Sequence, residues 1–309
     1  MASKPPLPRS RLQEKLSAGQ FVITAEVTPP LSCDAGDLLE KALPLRGLVD
    51  AVNITDGASA RAHMSAPIAA AMLAREGFEP VLQFACRDRN RIALEGELMG
   101  AAACGIRNIL CLTGDDPKAG DQPETKPVFD LDAPALMRTA RDLRDKGELP
   151  SGRKVAGTAP FFIGAADLPI DPPSTWRPDR LVVKVAAGAQ FAQTQFCMDK
   201  EIVRRYAARL RGHPALAGFF LLIGVAPLRS AKSARWMRNH LHGTIIPEAF
   251  VERLERAADS AAEGERICVE LIEELAHIPG VAGAHVMAPA NDAALPRVAA
   301  EARRRLSGR

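Results

Sequence analysis

The chain has 309 residues, 47% of them hydrophobic, enough to bury the core of one α/β barrel with insertions. An aromatic content of 5% and a net charge of +3, with Arg303, Arg304, Arg305 and Arg309 gathered at one terminus, argue against a base-stacking nucleic-acid surface. No apolar run approaches the roughly 20 residues that span a bilayer and no secretory signal opens the chain, so a cytoplasmic protein without membrane contact is expected.

Short apolar runs recur along the chain at 21–27, 51–55, 80–86, 108–114, 154–162, 191–198, 218–224 and 281–288. They are apolar throughout rather than alternating, as strands are when helices cover both faces of a parallel sheet. Segments of helical periodicity lie between them, among them 64–77, 91–105 and 134–147. Eight strands with intervening helices predict an α/β fold, a (β/α)8 TIM barrel over 1–309 with a flexible N-terminal segment at 1–15. An open doubly wound sheet would carry a Gly-rich phosphate loop after its first strand, and none is present. The stretch 230–279 is too long for one helix and predicts two or three extra helices before the last strand. Residues 115–132, rich in Asp, Gly, Pro and Lys, predict a mobile loop at the carboxyl end of the fourth strand. Six scattered cysteines without a CxxC pair point neither to a zinc site nor to a disulfide framework.

Polar residues at the carboxyl ends of barrel strands are the candidates for chemistry. Glu26 sits on the first strand among apolar neighbours. Such a carboxylate is either buried with a raised pKa, fit for general acid work, or salt-bridged as part of the structure. Thr55 and Asp56 end the second strand, where turn formation alone can explain them. Gln83 and Cys86 fall on or just beyond the third, and Thr113, Gly114 and Asp115 follow the fourth. Arg177, Arg180 and Lys184, spaced i, i+3, i+7, share a helix face that is either solvated or able to hold a diphosphate. Gln195 on the sixth strand offers an amide donor and acceptor suited to a pterin or flavin edge. His285 on the eighth reads first as a satisfied core histidine and second as a catalytic group. No histidine spacing suits a metal, and no GxSxG elbow is present.

The ordered motifs EVTPP (26–30), VNITDGA (52–58), LTGDDP (112–117), KVAAGAQFAQTQFCMD (184–199), IGVAPLRSAKSARWM (223–237) and GAHVMA (283–288) resemble the strand segments of the methylenetetrahydrofolate reductase family. The resemblance runs from about residue 15 to about residue 300. It implies a barrel that binds FAD and reduces 5,10-methylenetetrahydrofolate to 5-methyltetrahydrofolate with NADH or NADPH, by ping-pong kinetics. On that resemblance Glu26 is the general acid that opens the methylene bridge, and Asp115 bonds the pterin and tunes the flavin. Gln195 binds folate or nicotinamide, joined by Met237 as a substrate-binding position. Thr55, Gln83, Thr113, Gly114, Asp115, Arg180 and Lys184 would contact the cofactor, and no metal is expected. The implied partners are tetrahydrofolate derivatives, with no nucleic acid and no membrane, and a homo-oligomer stays open.

The chain also departs from the family pattern. Gln83 stands where many members have His, and Thr113 where some have Arg. The segment TAPFFIGAADLPIDPP replaces a Tyr-Pro-Glu-x-His stretch after the fifth strand. The expected stacking aromatic falls near Met237, beside Trp236, and APAND lacks a Leu-Asn-Arg pattern. Two further readings therefore stand beside the reductase: a flavin-poor or oxidative-direction enzyme of the same fold, and a folate-binding methyltransferase subunit working with a corrinoid protein.

Overall fold

In the computed structural model, which describes residues 7–307, the apolar runs become the staves of a closed parallel barrel. The strands are β1 (Val22–Val27), β2 (Ala51–Ile54), β3 (Pro80–Ala85), β4 (Asn108–Leu112), β5 (Phe162–Asp167), β6 (Phe191–Phe196), β7 (Phe220–Val225) and β8 (Val281–Val286). Each pairs with its neighbour in chain order, and β8 closes on β1. Helix α1 (Arg11–Ser17) precedes β1. Helices α2 (Ala35–Ala42), α3 (Ala66–Arg75), α4 (Arg91–Ala103), α5 (Ala133–Lys146), α6 (Asp179–Ala187) and α7 (Lys200–Arg211) follow β1 to β6 in turn. The expected extra helices are present: α8 (Ala231–His240), α9 (Glu248–Arg256) and α10 (Ser260–Leu275) all separate β7 from β8, and α11 (Leu295–Ser307) ends the fold. No helix among the described residues is long and apolar enough to cross a membrane.

The fifth strand lies elsewhere than expected. The apolar run 154–162 predicts it, yet β5 begins at Phe162 and continues through Ile163, Gly164, Ala165, Ala166 and Asp167. Residues ahead of it are loop: Lys154 bridges Glu148, and Gly157 turns the chain with φ 88°. Small residues and a terminal aspartate disguise the strand. Phe162 anchors it by stacking on Phe191 of β6, ring centroids 4.6 Å apart.

Strand alternation sorts the side chains into two cores. Ile23, Ala25 and Val27 face the helices and join the large outer core. Val22, Ala51, Val81, Leu110, Phe162, Phe191 and Leu222 fill the floor of the barrel interior. Leu12 and Leu16 of α1 plug that floor from below, so the expected flexibility of 1–15 is corrected from Arg11 onward. Residues 1–6 of that segment lie outside the described residues, as does Arg309 of the terminal basic cluster.

Ser10 sets the plug in place. Its buried hydroxyl caps α1 by accepting from the Gln13 amide at 3.0 Å and donates to Asn108 Oδ1 at 2.5 Å. Ser10→Ala removes a cap and leaves Asn108 short of a donor, so it should destabilise by about 1–2 kcal/mol, read as a lower urea midpoint. The terminal arginines are also engaged in the structure. Arg303 donates to Leu48 O and pairs with Asp50, Arg304 pairs with Glu301, and Arg305 with Glu301 and Glu273.

Candidate active site

A cavity of about 1100 Å³ opens at the carboxyl ends of the strands, slightly above the ~300–1,000 Å³ usual for ligand pockets. Glu26, Gln83, Thr113, Gly114, Asp115, Arg180, Lys184 and Gln195 all line it. Candidates from β1, β3, β4, α6 and β6, far apart in sequence, thus share one space.

Glu26 is on the same face of β1 as Val22 and Thr24, which places it above the apolar floor. Its side chain is 24% exposed. Burial pushes its pKa up to about 7, opposed by a hydrogen bond from Gln83 and assisted by the charge of Asp292. His285 Nε2 lies 3.9 Å from Glu26 Oε2. Burial pushes that imidazole down to about 3, so it is neutral near pH 7 and the contact is not an ion pair. Among the described residues no arginine or lysine pairs with Glu26. The salt-bridge reading open from sequence thus finds no partner among the described residues, and burial favours the protonated carboxyl.

Backbone irregularities aim two further side chains. The pairing of β6 with β7 slips between Gln193 and Phe196, a bulge that carries Gln195 to the cavity wall. Thr194 stabilises it, its hydroxyl donating to Gln195 O at 2.8 Å and accepting from Gly224 N at 2.9 Å. A Cβ at Gly224 would meet Thr194 O at 2.3 Å, so the bulge requires glycine opposite it. At the end of β4, Gly114 has φ 95°, and a Cβ there would strike Arg87 Cβ at 2.9 Å. That turn brings exposed Asp115 to the rim. Asp116 behaves as a turn former, capping the 3-10 turn 117–119 through Lys118 N. Asp56 lines the cavity but is committed elsewhere, accepting from Ala85 N and pairing with Arg89.

The wall formed by α6 is cationic. Arg177, Arg180 and Lys184 all reach the cavity. Lys184, in the last turn of α6, donates to Ala166 O at 2.5 Å. Burial lowers its pKa, partly offset by Asp167. Asp167 in turn accepts from Tyr206 at 2.6 Å; burial raises its pKa against that hydrogen bond.

Three candidates are not on the wall, among them Cys86, which is buried in the outer core. Thr55 is buried beside the wall, its hydroxyl without a hydrogen-bond partner among the described residues. Met237 belongs to the outer core: α8 buries the stripe Ala231, Ala234 and Met237, leaving Trp236 exposed and stacked on His240. The structure therefore gives Met237 a packing position and no place on the cavity. Conversely, Arg87, Asp167, Trp176 and Tyr206 line the site, and the sequence reading passed over them. So did the buried layer of Thr24, Asn53 and Gln193 beneath it, which a two-residue spacing of polar side chains on β1 and β6 signals.

Comparison with known proteins places this geometry in a lineage. A Schizosaccharomyces pombe protein, methylenetetrahydrofolate reductase 2, is 28% identical over 200 residues, covering 63% of this chain and 30% of that protein. A Caenorhabditis elegans relative is 25% identical over 223 residues, 68% of this chain and again 30% of its own length. The chain thus spans less than a third of the relatives it matches. Among solved structures, a Clostridium thermocellum protein that binds two copies of 5-methyl-5,6,7,8-tetrahydrofolic acid shares the fold, with a TM-score of 0.67 and 12% identity, covering 95% of this chain and 98% of that one. The sequence model of methylenetetrahydrofolate reductase matches residues 11–302, nearly the whole described barrel, and the chain belongs to that family.

Proposed function

We propose that the chain is an oxidoreductase that reduces 5,10-methylenetetrahydrofolate to 5-methyltetrahydrofolate, with NADH or NADPH as the electron source and FAD as the carrier. The observation that carries this reading is the Glu26 carboxyl: recessed, without a cationic partner among the described residues, and pushed up by burial to a pKa of about 7. Opening the methylene bridge puts a proton on the departing nitrogen and leaves an iminium carbon. A hydride then adds to that carbon. Glu26 is the group able to hold and deliver the proton at neutral pH. Gln195 and Asp115 are the amide and carboxylate that would bond the pterin edge, and Gln83 holds the acid in place.

The residues present fit FAD. Arg177, Arg180 and Lys184 line the cavity and would hold its diphosphate. When bound, FAD supplies hydride transfer between the nicotinamide and the folate. The protein's own contribution is orientation, exclusion of water by the apolar floor, and the proton on Glu26.

The test is direct. Purified protein supplied with FAD should turn over NADH or NADPH beyond the single equivalent that reduces the flavin only when methylenetetrahydrofolate is present, yielding 5-methyltetrahydrofolate. Folate binding without nicotinamide oxidation, restored by a corrinoid protein, would assign a methyltransferase subunit instead. The pH dependence has a fixed sign. Glu26 acts in its protonated form, so folate reduction should fall as pH rises through about 7, approaching tenfold per unit beyond it.

A further inference from the structure

Beneath Glu26 lies a closed polar layer that the chemistry above does not by itself require. Asn53 on β2 and Gln193 on β6 pair their amides reciprocally across the barrel: Asn53 Nδ2 donates to Gln193 Oε1 at 2.5 Å, and Gln193 Nε2 to Asn53 Oδ1 at 2.8 Å. Gln193 Nε2 spends its second hydrogen on Thr24 Oγ1 at 3.0 Å. Thr24 Oγ1 therefore accepts from Gln193, and its own hydrogen is free for His285 Nδ1, 2.9 Å away. With Nδ1 accepting, the neutral ring carries its proton on Nε2. That nitrogen reaches the cavity side, where Glu26 Oε2 is 3.9 Å off. The gap is longer than a hydrogen bond, and near enough for the ring N–H dipole to act on the carboxylate.

We infer that His285 is the positioning residue for the Glu26 carboxyl: the Asn53–Gln193–Thr24 chain locks it in the Nε2–H tautomer, so that it offers a donor to the carboxylate left when Glu26 gives up its proton. This rests on reading Glu26 as the acid. The layer explains why four polar side chains are buried inside the barrel, Thr24, His285 and Asn53 on the adjacent strands β1, β8 and β2 and Gln193 facing them from β6. Each amide, hydroxyl and Nδ1 atom of the layer has at least one partner within it, and Nε2–H faces the chemistry. A neutral donor serves better than a cation here. It stabilises the carboxylate modestly and leaves the acid form populated near pH 7, whereas an imidazolium would hold Glu26 ionised.

Glu26 meets few other charges. Asp292, in the turn after β8, is its other titratable neighbour and is paired with Lys41 of α2 at 3.3 Å. From β2 it faces the neutral Asn53 and Thr55, and Asp56 beyond them is bound to Arg89. From β3 it meets the Gln83 amide.

Nitrogen-15 NMR of histidine-labelled protein, without folate or cofactor, tests the tautomer. His285 should give one neutral pattern, Nε2 protonated and Nδ1 bare, unchanged from about pH 8 to about pH 5 where an ordinary histidine would titrate. An Nδ1–H pattern would mean the amide pair runs the other way, and the proposal fails. Carbon-13 titration of the Glu26 carboxyl tests the coupling. Its midpoint should rise by about one pH unit in His285→Leu, and stay within about 0.3 unit in His285→Gln, whose amide can stand in for Nε2–H. An unmoved midpoint in His285→Leu overturns the coupling, and if that variant does not fold, the wild-type nitrogen pattern still decides. Neither measurement involves turnover. A protein that passes both yet reduces no folate keeps the coupling and loses only the reductase reading.

Discussion

Replacing Glu26 by glutamine is expected to slow methylenetetrahydrofolate reduction by about 10²–10⁴-fold, the usual worth of a positioned general acid. Reduction of bound flavin by NADH or NADPH, followed as bleaching in the absence of folate, should change less than about threefold, because hydride transfer from a nicotinamide needs no proton from this carboxyl. The substitution is well suited to separate chemistry from folding. Glu26 is already close to half protonated at neutral pH, so a neutral amide of the same shape changes little in the folded state. Gln83 can still bond it, and His285 above the polar layer stays neutral. Thermal stability should accordingly hold or rise slightly. Equal losses in both half-reactions would show Glu26 to be a general structural prop of the cavity, and the folate-specific acid would have to be sought at Asp115 or Asp167.

Much of this site could be read from the sequence because strand order fixes where strand ends meet. Once eight apolar runs are read as a barrel, Glu26, Gln83, Asp115 and Gln195 must converge at its mouth, whatever their partners. What stayed hidden depended on contacts rather than on position. On β1 and β6 the reading singled out Glu26 and Gln195 but not Thr24 and Gln193 two residues before them. Those share the same inward faces, and the spacing of two is their one local signal, because their partners lie 92 to 261 positions away. Asp167 is hidden with β5: the run 154–162 closes on the pair Phe161–Phe162, while Gly164, Ala165 and Ala166 leave the strand beyond it inconspicuous, so its end reads as loop and the contact with Tyr206 has no local signal. Met237 is a different case. Its neighbours Ala231 and Ala234 trace the buried stripe of an amphipathic helix, and that periodicity outweighs a likeness in position to an aromatic contact.

The opposite end of the barrel carries the largest stability effect. Asp50, its side chain 1% exposed, accepts from Lys15 of α1 at 2.5 Å and from Arg303 of α11 at 2.7 Å, and from Ile23 N of β1 at 2.7 Å. These contacts outweigh the cost of burial and hold its pKa below the ordinary aspartate value. Asp50→Asn keeps the volume and removes both ion pairs, and should destabilise by about 2–4 kcal/mol. That is somewhat less than the ~3–5 kcal/mol for breaking a fully buried pair, because Lys15 and Arg303 both reach water. The sign with pH follows from the lowered pKa. The contribution is complete above the unfolded value near 3.8, and it is lost as pH falls from there through the folded value. The difference in urea midpoint between wild type and Asp50→Asn should therefore be constant near neutrality and shrink below about pH 4. A negligible difference at pH 7 would mean that the two cations behave as surface pairs, and that α1 stays seated on the barrel floor through Leu12, Leu16 and the Ser10 cap alone.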